Sequence, residues 1–100
     1  MNILVVGAGM YVTGRHTSGP GSVIGSIGEL SKTLDIDSIT VVSKSESSLN
    51  DVIRSRDIIN KELDINIVIE FIALGDSSLD KLQNIISLKT YHCAIVSLPD

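Results

Sequence analysis

Two glycines carry the first chemistry in this chain. The aliphatic run Ile3-Leu4-Val5-Val6 leads straight into Gly7-Ala8-Gly9. A buried strand that ends on G-x-G reverses tightly at its first glycine. At the second it leaves no side chain between the backbone N–H groups and an approaching anion, which suits a diphosphate. The whole segment, Gly7-Ala8-Gly9-Met10-Tyr11-Val12-Thr13-Gly14, spaces its glycines as G-x-G-x-x-x-x-G. A dinucleotide fingerprint wants a small residue where Val12 stands, and here more loop separates the turn from the first long helical pattern. Two readings stand side by side. Either the N–H groups of residues 8–12 and the Arg15 guanidinium hold a pyrophosphate, or Gly7 and Gly9 serve only a tight strand exit.

Arg15 and His16 are the basic side chains of this loop. An arginine offers phosphate a two-pronged contact, and its alternative is a solvated loop arginine. His16 reads as an exposed loop histidine, because no carboxylate lies close in sequence to engage it. A sheet that binds NAD usually ends its second strand on an acid that grips the ribose 2′-hydroxyl. Here that place holds Ser43-Lys44-Ser45, with no acid before Glu46. A cation between hydroxyls suits a 2′-phosphate, so the cofactor expected is NADP or NAD, with NADP preferred. The alternative for Lys44 is an ordinary surface lysine.

The remaining reactive residues read as structural. Cys93 reads as a small core residue inside a strand, and His92 as a surface residue where that strand begins. Glu70 is expected at a sheet edge or paired with a helix lysine. Arg54, Arg56, Asp57, Lys61 and Glu62 read as a solvated helix face. No Ser-His-Asp order, metal-ligand spacing or phosphate-binding P-loop is present.

The elements that must position these residues alternate between β and helical patterns, as in βαβ units around a parallel sheet. Residues 2–6 read as a strand whose run Ile3 to Val6 is continuously apolar, as in a strand covered on both faces. Residues 7–19 are rich in Gly, Ser and Thr and read as loop. Pro20 opens a helix over 20–34, with Val23, Ile27, Leu30 and Leu34 at helical spacing. A β-branched strand over 38–43 precedes a second helix over 47–63, with Leu49, Val52, Ile53, Ile59 and Leu63 inward and Ser48 with Asp51 at capping-box spacing. A strand over 66–73, a short helix bearing Leu79, Leu82, Ile85 and Ile86, and a strand over 92–98 complete the chain. Right-handed crossovers give a doubly wound, Rossmann-like three-layer sandwich with strand order 3-2-1-4, and place a ligand beyond the carboxyl ends of strands 1 and 4.

Composition narrows the partners. Of 100 residues, 43% are hydrophobic and three are aromatic, so the core is built of Ile, Leu and Val. The net charge of −4 argues against nucleic acid or an anionic membrane as partner. No run reaches the roughly 20 apolar residues of a membrane span, and no secretory leader pattern opens the chain. The reading is one cytoplasmic domain over residues 1–100, the N-terminal nucleotide-binding part of a longer protein, cut after its fourth strand. The open edge of that strand is expected to favour a homo-oligomer.

The run Met1 to Arg15, the Gly19-Pro20-Gly21-Ser22 that follows, and the ending Ala94-Ile95-Val96-Ser97-Leu98-Pro99-Asp100 together resemble a known family. It is the glucose–fructose oxidoreductase / inositol dehydrogenase / rhizopine-catabolism (Gfo/Idh/MocA) oxidoreductases. The resemblance implies an NAD(P)-dependent enzyme that transfers hydride to or from a sugar-like or cyclic alcohol or carbonyl. Gly7, Gly9 and Met10 would lie under the pyrophosphate, and the loop reading above adds Tyr11 and Arg15 to the cofactor-binding residues. Ser43 and Lys44 would lie by the adenosine ribose, and Ser97, Leu98 and Pro99 toward the nicotinamide. The family's catalytic lysine, its histidine and its substrate domain would lie beyond Asp100, so no catalytic residue is assigned in this chain and no metal is expected. A nucleotide-sensing or interaction domain of the same fold, without catalysis, is the alternative.

Overall fold

In the computed structural model, which describes residues 1–97, four parallel strands form one sheet in the order β3-β2-β1-β4. The expected doubly wound α/β architecture is therefore present. Its strands are β1 (Asn2–Val6), β2 (Ser38–Ser43), β3 (Ile69–Ala73) and β4 (Cys93–Val96). The helices are α1 (Met10–Thr13), α2 (Ser22–Leu30), α3 (Leu49–Leu63) and α4 (Ser78–Leu88).

Strand alternation divides the core into two halves. Ile3, Val5, Ile39 and Val41 point to one face, where they pack with Ile24 and Ile27 of α2 and Val52 and Ile59 of α3. Leu4 and Val42 point to the other, where Leu74 and Ile85 meet them. Both halves are aliphatic, as the scarcity of aromatics requires. Thr40 is the buried polar residue of the second face, and its hydroxyl accepts from the Tyr91 hydroxyl at 3.1 Å.

Register places Val6 beside Val42 on one side and Val96 on the other, so three strand ends finish level. Every strand runs the same way. All loops leaving their carboxyl ends therefore gather on one rim.

Element boundaries differ from the sequence reading in instructive ways. Residues 7–19 are not all loop, because α1 forms a single helical turn immediately after Gly9. Val12 anchors that turn in the core, fully buried. It fits because α1 stops at Thr13, so no long helix is forced against the strand at that point. The close backbone approach occurs later, where a Cβ on Gly21 would lie 2.5 Å from the Gly14 nitrogen.

The helix expected over 20–34 runs from Ser22 to Leu30, and its buried face is Ile24, Ile27 and Gly28. Leu30 and Leu34 are largely exposed. Gly28 decides this face: a Cβ there would sit 2.6 Å from Ile59 Cγ1, so α2 and α3 touch where the side chain is missing.

At α3 a single 3-10 turn, Glu46–Ser48, comes first. Val52, Ser55 and Ile59 are its buried residues, while Leu49 is exposed. The Ser48–Asp51 capping box does not form. Instead Ser45 caps the 3-10 turn by accepting from the Ser47 N–H, and Asp51 turns to Arg15.

The third strand begins at Ile69, not at residue 66. The Asn60 side chain occupies the backbone of Ile67, accepting from its N–H at 2.9 Å and donating to its carbonyl at 3.2 Å. That amide takes the place of a neighbouring strand.

The strand expected over 92–98 spans Cys93–Val96, and Leu98 lies outside the described residues. His92 is exposed, as expected, and its Nδ1 accepts from the Asn2 N–H at 2.9 Å. Cys93 is exposed and not a core residue. The reason is positional: among the described residues β4 borders only β1, at the edge of the sheet. Leu79 and Ile86 of α4 are also exposed, leaving Ile85 as the buried contact of that helix.

Candidate functional site

Gly7 and Gly9 do different work. Gly7 adopts φ +115°, a region that disfavours any side chain, and its N–H donates to the Val42 carbonyl at 2.8 Å. A methyl group there would run into the carbonyl oxygen of Ser97. Gly9 has an ordinary φ of −82°, and a Cβ built on it would meet nothing within 4 Å. Packing within the chain therefore explains the first glycine and leaves the second unexplained.

The Gly9 carbonyl starts α1 by accepting from the Thr13 N–H at 2.9 Å and the Thr13 hydroxyl at 3.0 Å. Among the described residues, nothing accepts from the N–H groups of Gly9, Met10 or Tyr11. Gly9 and Met10 line a cleft of about 720 Å³.

The cleft lies over the carboxyl ends of β1 and β2, floored by Val6, Gly7 and Val42. One rim is Gly9, Met10, Arg15 and His16; the other is the serine-rich turn Ser43, Lys44, Ser45, Ser47 and Ser48. Leu74, Leu79 and Leu82 form an apolar wall from the β3–α4 side. Among the described lining residues the charged side chains are Arg15 and Lys44, and no carboxylate is present. The arrangement offers amides and cations to an anion, with an aliphatic wall for a flat apolar group.

Arg15 is tied down. Its Nε donates to Asp51 Oδ2 at 3.1 Å, and its Nη2 donates to the Ala8 carbonyl at 3.3 Å and to Ser48 Oγ at 3.2 Å. Ser43 donates to the same Ser48 hydroxyl at 3.3 Å. A continuous polar chain thus joins the glycine turn to the end of β2.

The glycine-rich loop is held from behind by α3. Arg54, expected on a solvated face, instead donates to the carbonyls of Thr13, Gly14, Thr17 and Gly19. Ser55 donates to the carbonyl of Pro20. The guanidinium reaches all of them because the loop folds back over α3 and turns its carbonyls inward, where they need donors. Glu70 is exposed on the outer strand, while Arg56 pairs with its neighbour Asp57 at 2.9 Å.

Of the residues singled out from sequence, Gly7, Gly9, Met10, Arg15, Ser43 and Lys44 come together in the cleft. Tyr11 does not: its ring is outside the lining and 67% exposed. Ser97 lies beneath Gly7, not in the cleft, and donates its N–H to the Val6 carbonyl at 2.8 Å. Leu98 and Pro99 lie outside the described residues. The cleft found among the described residues lies over β1 and β2, and residues 98–100, which follow β4, lie outside the described residues. Ser45 joins the cleft residues, as the Ser-Lys-Ser reading expected, whereas Ser47, Ser48, Leu74, Leu79 and Leu82 were not anticipated as lining. The serines had a visible signal, four within positions 43–48; the leucines look like any helix core.

Among the described residues, no group of three or more His, Cys, Asp or Glu side chains is placed to hold a metal ion. No described helix is long and apolar enough to cross a membrane. No family model matches the chain, and no curated protein or solved structure matches it either.

Proposed function

We propose that the cleft binds a dinucleotide, NADP in preference to NAD. The observation that carries this reading is Gly9: a glycine with open space above it, beside amides that have no acceptor among the described residues, at the mouth of a basic cleft. A side chain at Gly9 would stand where a diphosphate must approach. Lys44 with Ser43, Ser45 and Ser47 supplies donors for a 2′-phosphate, and Leu74, Leu79 and Leu82 supply a surface for adenine. The cleft corresponds to the adenosine half of such a ligand.

The parent class we propose is an NAD(P)-dependent oxidoreductase of the Gfo/Idh/MocA kind, acting on a small sugar-like alcohol or carbonyl. Hydride passes between the nicotinamide and the carbinol carbon, and this chain's part is to hold and orient the cofactor. A second reading, a nucleotide-sensing domain, draws support from the cleft itself. Among its described lining residues, His16 is the one imidazole, and it sits on a loop at φ +67°, a backbone region that L side chains rarely adopt. Both readings require nucleotide binding. Calorimetry with NADPH, NADH and ADP tests them: NADPH should bind tightest, and absence of binding by all three would remove both.

We further propose a homo-oligomer formed at β4. The outer strand β3 carries Glu70, a charge of the kind that discourages edge pairing, whereas Cys93–Val96 has none.

A further inference from the structure

We propose that Asp51 sets the affinity of the cleft for phosphate by partly cancelling the charge of Arg15, an inference that rests on the nucleotide reading above. Arg15 is the cation closest to the glycine turn, joined to it through the Ala8 carbonyl at 3.3 Å. Its remaining contacts, to Asp51 and Ser48, fix the guanidinium but leave Nη1 without an acceptor among the described residues. That nitrogen is the donor available to a ligand.

The pair is not explained by stability. The two side chains are 38% and 29% exposed, and ion pairs so open to water contribute little to folding. The effect on an incoming anion is larger. A carboxylate 3.1 Å from the guanidinium removes much of the attraction a phosphate would feel on entering the cleft. Asp51 is held in this position by its place in the first turn of α3, where a negative charge is favoured. Ser48, buried and bonded to both Arg15 and Ser43, links the same cation to the ribose side of the cleft.

Asp51→Asn tests this directly, since the amide keeps an oxygen for Arg15 Nε and removes the charge. The dissociation constants for NADPH and for adenosine 2′,5′-bisphosphate should fall roughly three- to tenfold at low salt, and the gain should shrink as salt is raised. Asp51→Ser should move them in the same direction. Arg15→Met should weaken binding, and Arg15→Met/Asp51→Asn should bind like Arg15→Met alone. Unchanged or weaker binding by Asp51→Asn, or a gain that survives loss of Arg15, overturns the proposal. Nucleotide binding by the unaltered chain with no effect of Asp51→Asn overturns this inference alone; no binding by either overturns the nucleotide reading with it.

Discussion

Gly7 and Ser97 meet backbone to backbone: the α-carbon of one lies so close to the carbonyl of the other that no side chain fits between them. The turn that leaves β1 and the segment that leaves β4 are therefore packed as one unit beneath the cleft. Gly7 is needed by the fold, whereas no contact among the described residues requires a glycine at Gly9. On the nucleotide reading proposed above, the two glycines of one motif separate into a stability role and a binding role.

Substituting each glycine should expose that division. Gly7→Ala places a methyl at positive φ against Ser97 and should cost about 3 kcal/mol or more in chemical denaturation. Gly9→Ala, with open space around it, should stay within about 0.5 kcal/mol of the parent. Its NADPH affinity should nevertheless drop roughly tenfold or more by calorimetry, because the new methyl stands in front of the amides. Equal losses of stability in both variants would undo the distinction.

Arg54→Met should loosen the loop it holds. The variant keeps an aliphatic stem but strips donors from four carbonyls, and a stability loss of about 2 kcal/mol is expected. Hydrogen exchange should accelerate at Gly14 and Thr17, whose amides are ordered within that loop, while the strand amides keep their order of protection.

Lys44→Ala should discriminate between the two nicotinamide cofactors. NADPH affinity is expected to fall roughly tenfold and NADH affinity to change little, since a charge-assisted contact to the 2′-phosphate is lost. Lys44→Glu should invert the preference. If the two cofactors weaken equally, the ribose end of the ligand lies elsewhere.

The amino terminus supplies a pH dependence. The Met1 ammonium donates to Asp37 Oδ2 at 2.7 Å, and this hydrogen bond, then the charge beside it and that of His92, hold the Asp37 carboxyl below its usual value of 3.8. A carboxyl lowered in the folded state contributes stability that is present above 3.8 and lost as pH falls through the lower folded value. The Asp37 carboxyl is exposed to water, so the effect is small. Asp37→Asn should show a shallower loss of stability below pH 3.8 than the parent, measured by urea unfolding across pH.

Val96→Lys should abolish self-association at the β4 edge. Val96 is 65% exposed on a strand that, among the described residues, stands at the edge of the sheet, and a charge there opposes pairing with a second copy. Light scattering should report a dimer for the parent and a monomer for the variant.

The sheet was legible because strands covered on both faces write themselves as aliphatic runs: residues 2–6 and 38–43 are bounded as their patterns predict. Helix faces were less so. Val23, Ile27, Leu30 and Leu34 form a plausible stripe, yet Gly28 rotates the buried face toward Ile24, because absence of a side chain allows closer contact than any leucine. The cleft's glycines and its Ser-Lys-Ser turn could be named from local spacing. The role of Arg54 could not, since its four acceptors lie about 35 to 41 residues away and Arg56, Asp57, Lys61 and Glu62 on the same helix make it read as one more solvated charge. Asp51 was hidden the same way: its capping spacing was genuine, but a guanidinium from a distant loop competed for it.

The Arg54 clamp bears on speed as well as shape. With its carbonyls already gripped from behind, the segment from Thr13 to Gly19 has surrendered its freedom during folding, before any guest arrives. Capture should then be governed by diffusion and charge, with no slow closing motion of that segment in the kinetics.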